Sequence, residues 1–128
     1  IVISSITFKA NTADFLDIDP QMREKNLRTL DRLAEILKKF ADYKINLEGH
    51  AVAIYWDRPQ AARDKEQNET LLPLSRARAE AIKKALEDRG IEGTRMTTTG
   101  YGGLYPIVPQ GDLENRWKNR RVEFILLK

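Results

Sequence analysis

The sequence predicts an α/β (α+β) two-layer sandwich. The order is β-α-β-α-β-(α)-β, with a mixed four-stranded sheet and helices packed on one face. Three observations carry this. In two stretches apolar residues recur at three- and four-residue steps, which gives a helix one buried face. Four short runs rich in β-branched and aromatic residues read as strands. Strands and helices alternate, so the crossovers lie against a sheet. At 128 residues the chain suits a single domain, spanning 1–128, that can bury a core without staples.

Ile1 to Phe8 reads as the first strand, entered mid-chain, so the domain is expected to be the C-terminal part of a larger protein. It lacks the basic start, long apolar centre and cleavage site of a secretory signal. Asp19-Pro20 starts a helix, with an acid at the cap and proline at the first helical position. Leu27, Leu30, Leu33, Ala34, Leu37, Phe40 and Ala41 form its apolar face, so the helix is predicted to end near Ala41. Lys44 to Gly49 alternates and gives a second strand, which Ala51 to Trp56 could prolong. Arg58 to Glu69 reads as a solvated loop or short helix. Ser75 is predicted to cap a second helix, Arg76 to Arg89, with Ala79, Ile82, Ala85 and Leu86 as its stripe and Gly90 as its stop. Arg95 to Tyr101 is the third strand. Gly111 to Lys118 is polar, with room for one or two helical turns, and Arg121 to Leu127 is the last strand.

Composition removes several function classes. Lys and Arg number 22 against 19 Asp and Glu, a net charge of +3, and the two signs interleave, so nucleic acid is not an expected partner. There is no Cys, which excludes a disulfide framework, a thiol nucleophile and a Cys-based zinc site. The one histidine, His50, excludes multi-His metal motifs. No apolar run reaches the roughly 20 residues of a membrane-spanning helix. No nucleophile elbow, phosphate loop or metal cluster is present. Gly100-Tyr101-Gly102-Gly103 follows a strand, but no helix opens after it to cradle phosphate. The chain is therefore read as non-catalytic and without a cofactor.

Two basic segments ask for an explanation. Arg78 lies one turn before Ile82, beside the buried stripe. It is either a snorkelling side chain or, with the N–H groups of a first helical turn near Arg76, a carboxylate holder. Asn119-Arg120-Arg121-Val122-Glu123 opens the last strand, either as edge charge or as a second cationic wall for the same anion. His50, after Gly49, reads first as a hydrogen-bonded structural residue. Trp56 and Trp117 read as packing or rim residues.

Four segments in order carry a resemblance: Gly49-His50; Leu74-Ser75-Arg76-Ala77-Arg78-Ala79; Gly100-Tyr101-Gly102 with Pro106; and Asn119-Arg120-Arg121-Val122-Glu123. From about Ile6 to Phe124 the chain resembles the OmpA C-terminal-like, peptidoglycan-associating domain family, as a divergent member. The resemblance implies a β-α-β-α-β-type sandwich in the periplasm or cell envelope, associated with the outer membrane through other parts of the parent protein. It implies noncovalent binding of the peptidoglycan peptide stem, usually through meso-diaminopimelate, and no catalysis.

By the same resemblance Arg78 takes a diaminopimelate carboxylate, and Ser75, Asn119, Arg120, Arg121 and His50 complete the candidate ligand-binding set. Three family positions are degenerate. The aspartate that receives the ligand's ammonium is Val52, the acid after the first strand's Phe8 is Lys9, and an asparagine four before the serine is Leu71. The segment 53–73 is an insertion relative to the family. A desolvated ammonium without a partner costs several kcal/mol. Diaminopimelate binding is therefore expected to be weak or lost, leaving a structural or protein-interaction role with envelope proteins. The alternative is an anchor that still binds peptidoglycan with a modified ligand or pose.

Overall fold

The computed structural model describes residues 4–128. Its four strands are β1 (Ile6–Thr7), β2 (Lys44–Gly49), β3 (Met96–Gly100) and β4 (Arg121–Leu127). They form one mixed sheet in the order β1-β4-β2-β3, with β2 and β3 parallel and β4 antiparallel to both its neighbours. The helices α1 (Pro20–Lys39), α2 (Gln60–Glu66) and α3 (Leu72–Asp88) complete the fold. The core lies between α1, α3 and one face of the sheet, where Leu30, Leu37, Ile45, Leu47, Ile82 and Val122 are buried. The two-layer sandwich read from the sequence is the observed architecture.

Helix α1 starts as its sequence dictates. Asp19 accepts the Met22 N–H at 3.0 Å and Pro20 occupies the first turn. The helix ends at Lys39, before Ala41, which is exposed. There the guanidinium of Arg95 donates to the carbonyls of Leu37, Phe40 and Tyr43 at 2.8–3.0 Å, satisfying acceptors that a helix end leaves free. Asn26, also on α1, exchanges hydrogen bonds with the Thr7 backbone as a strand neighbour would, at 3.2 and 2.9 Å. That holds an edge strand of only two residues. Of the predicted strand Ile1 to Phe8, the described residues 4–8 show strand only at Ile6–Thr7, and residues 1–3 lie outside the described residues.

The second helical region differs most from expectation. α2, a π-helical turn (Gln67–Leu71) and α3 follow one another without a break, and the junction residues Glu66, Gln67, Leu71 and Leu72 are all right-handed helical. Ser75 is therefore not a cap. It sits inside a helix that begins at Leu72, and its hydroxyl donates to the Leu72 carbonyl at 3.0 Å. Proline ordinarily marks a helix start because it lacks an N–H. Here Pro73 lies in the first turn of α3, against the wider π turn. Ala51 to Trp56 does not prolong β2; the chain turns at 54–57. The predicted turns within Gly111 to Lys118 appear as a single 3-10 turn, Arg116–Asn119.

Register brings Gly49, Gly100 and Val122 to one end of the sheet. There α3 presses on the strands. A β-carbon on Gly49 would stand 1.8 Å from the Ser75 carbonyl oxygen, and one on Gly100 2.7 Å from the Arg76 nitrogen. Only glycine permits this approach, and it sets Arg78 at the mouth of the loops leaving β1 and β2.

Candidate functional site

Arg78 has no exposed surface. Its Nε donates to the Thr12 carbonyl at 2.9 Å, Nη1 to the His50 carbonyl at 2.9 Å and Nη2 to the Lys9 carbonyl at 3.1 Å. The guanidinium also lies 5.3 Å from the centre of the Phe8 ring. Burial and the nearby Arg120 charge lower its pKa to about 10, so it remains a cation at neutral pH. It does not snorkel; it fastens the loops after β1 and β2 to α3.

The remaining face of Arg78 borders a cavity of about 80 Å³ that also holds Val52, Glu66, Thr70, Arg116 and Arg120. Glu66, Thr70, Leu74 and Arg78 recur at four-residue steps along the helical region and line one wall. Leu71, where the resemblance expects an asparagine, is buried in the same wall. Arg120 donates Nε to the Phe8 carbonyl at 2.9 Å, and burial with the charge of Arg116 lowers its pKa. No free helix N–H group is offered beside Arg78, because the Ser75 turn lies within α3.

Several predicted site residues lie elsewhere. Ser75 is fully buried and accepts the Gly102 N–H at 2.9 Å, a packing role. Asn119 is fully buried; its side chain accepts from the Ile107 and Val108 N–H groups and donates to the Val108 carbonyl, holding the 104–110 loop. Arg121 points away from the cavity, 2.7 Å from Glu123 and 3.0 Å from the Tyr105 carbonyl. Of the three residues Asn119, Arg120 and Arg121, only Arg120 reaches the cavity, so the second cationic wall is Arg120 with Arg116. Alternation along the chain sends neighbours to opposite faces.

His50 contributes only its carbonyl to this site. Its ring is 3% exposed, stacked on Tyr101 at 5.5 Å, and neither ring nitrogen has a hydrogen-bond partner. It is therefore not the hydrogen-bonded structural histidine of the sequence reading. Burial, and next the Arg121 charge, push its pKa down to about 4, against a smaller upward pull from Glu123. Lys9 also lends its carbonyl to Arg78, while its ammonium lies 3.9 Å from Asp17. It lines a separate groove of about 560 Å³ beside Trp117 and Arg120.

Glu66 and Arg116 are cavity residues that the sequence reading passed over. Glu66 sits in a charged run that resembles a solvated face; the four-residue spacing to Arg78 is the signal that could have found it. It is 8% exposed and accepts the Ile54 N–H at 2.9 Å and the Tyr55 N–H at 3.2 Å.

Comparison with known proteins bears on what such a site belongs to. A peptidoglycan-associated lipoprotein of Rhizobium meliloti is 34% identical over 122 residues, which is 93% of this chain and 63% of that protein. A peptidoglycan-associated lipoprotein of Brucella melitensis is 32% identical over 127 residues, covering 96% of this chain and 68% of that protein. The chain thus spans about two thirds of the length of these relatives. Among solved structures, the C-terminal domain of Helicobacter pylori MotB superposes with a TM-score of 0.74 at 27% identity, over 99% of this chain and 86% of that one. The OmpA family model matches residues 8–120, most of the chain, and the chain therefore belongs to the OmpA family.

Proposed function

We propose that the domain is a non-catalytic module of the cell envelope that associates with the peptide stems of peptidoglycan, and that the family's way of holding diaminopimelate is weakened in it. Membership of the OmpA family and the peptidoglycan-associated relatives support the association. By the same kinship we place the module in the periplasm, tied to the outer membrane by other parts of its parent protein. The observation that carries the weakening is Val52. Its side chain lines the Arg78 cavity where the resemblance expects an aspartate, and a hydrocarbon accepts no hydrogen bond from an ammonium. Arg78 is still a cation, but three of its N–H groups are already held by carbonyls.

Co-sedimentation tests this reading. The domain is expected to pellet with purified sacculi, and not with glycan stripped of its stems by an amidase. Val52→Asp is expected to increase the bound fraction, since a charge-assisted hydrogen bond contributes roughly 1.5–3 kcal/mol. Absence of the wild-type domain from the sacculus pellet would overturn the association; Val52→Asp without effect would overturn the weakening.

A second reading, a protein-interaction role, is favoured by the apolar side chains near the insertion. Tyr55, Trp56, Leu104, Tyr105 and Ile107 are each exposed, and Trp56 and Leu104 line one cleft of about 370 Å³. This reading gains if envelope proteins, and not sacculi, retain the domain.

A further inference from the structure

Two buried charges of opposite sign border the same small cavity without meeting. Arg78 ends its three hydrogen bonds on backbone carbonyls, and Glu66 receives both of its own from backbone N–H groups. Among the described residues no ion pair joins Arg78 or Glu66 to an opposite charge. Burying charges in this way is costly unless something nearby compensates them. Each keeps spare capacity. The guanidinium has five N–H donors and uses three here; a carboxylate has about four lone-pair sites and Glu66 uses two.

A ligand that satisfies both must carry an anion and a cation a few bonds apart. The cavity, about 80 Å³, is several times the space that one water needs. It has room for a small charged head group. Arg116 and Arg120 border the same space and add cationic character to it.

We infer that Glu66, delivered by the 53–73 segment, is the residue that receives the ammonium of a zwitterionic amino-acid head group whose carboxylate faces Arg78. Glu66 thereby replaces the anion absent at Val52, from a different element and a different direction, which makes it a specificity-determining residue of this chain. The inference rests on the peptidoglycan reading above and adds to it which residue selects the stem. Because Glu66 also holds the Ile54 and Tyr55 N–H groups, it is a weaker acceptor than an uncommitted aspartate, in keeping with weakened binding.

The test is an NMR titration of the isotope-labelled domain with three synthetic stem tripeptides, alongside sacculus co-sedimentation. The third residue is meso-diaminopimelate (free ammonium and carboxylate), 2-aminopimelate (carboxylate only) or lysine (ammonium only). The wild-type domain is expected to bind the first about tenfold more tightly than either of the others. Glu66→Gln is expected to weaken the diaminopimelate stem about tenfold and to leave the aminopimelate stem within about twofold; Glu66→Asp is expected to retain the preference. If Glu66→Gln does not fold, the wild-type ranking can still overturn the inference, and Glu66→Asp, which keeps the charge but shortens its reach, still tests the residue. Equal affinity of the wild type for the diaminopimelate and aminopimelate stems overturns it, as does an equal effect of Glu66→Gln on both. If sacculi pellet the domain and no stem preference is found, the inference falls and the peptidoglycan reading stands. If sacculi do not pellet it, both fall.

Discussion

A guanidinium without solvent must place its N–H groups on acceptors, and Arg78 does so on carbonyls of three separate segments. Lysine has no fork to match that arrangement. Arg78→Lys is expected to destabilise the domain by about 3 kcal/mol or more, as buried carbonyls lose their donor, measured by urea denaturation. His50 makes a different statement at the same scale. Its folded pKa of about 4 lies below the ordinary 6.5. Stability is therefore full above about pH 6.5 and falls as pH drops toward 4, because only the unfolded chain takes up the proton. The loss is up to about 3 kcal/mol over that window. His50→Phe is expected to flatten this limb of the stability–pH profile. Arg78 was legible in the sequence as a residue out of place beside an apolar stripe. Its partners lie 28 to 69 residues away, and nothing local names them.

At the scale of elements, the sequence was most readable where one face is buried. β2 and β4 have the predicted bounds; in β2 the alternation of buried and less buried residues fixes them. The start of α3 is masked by Ser75, which before an apolar stripe imitates a cap, although Pro73 and Ser75 both lie inside the helix. The helical region continues through both, since its inner face runs from Glu66 to Arg78. Its backbone presses directly on the strand ends at Gly49 and Gly100. Gly49→Ala is expected to cost several kcal/mol, because the Ser75 carbonyl is backbone and cannot rotate away. Asp19→Ala, at an exposed cap, is expected to cost only about 1 kcal/mol. Thermal unfolding of the two variants side by side checks the contrast.

For the whole molecule, the alternation of strands and helices was enough to give the layers. It was not enough to give the strand order, which places β4 between β1 and β2. That order depends on which apolar faces meet across the chain, and local pattern carries no such information. The cavity shares this property. Its walls come from the loop after β1, the loop after β2, the helical region and the turn before β4. Segment resemblance placed Arg78 and Val52, because both lie in or beside family motifs. It could not place Glu66, which lies in none of the four segments that carry the resemblance.

The way Arg78 ties together residues 9, 12 and 50 has a consequence in time. β1 pairs with β4 across Ile6 and Val122, so the loop after β1 docks only once the two ends of the chain have met. Long loops close late in folding, after the local helices and the β2–β3 crossover can already form. The cavity is then expected to form only after the folding transition state. Arg78→Lys is expected to speed unfolding in stopped-flow experiments while leaving the folding rate nearly unchanged. A ligand held there slows unfolding and does nothing for folding. A domain engaged with the cell wall would then resist extraction and proteolysis for longer than its equilibrium stability alone implies.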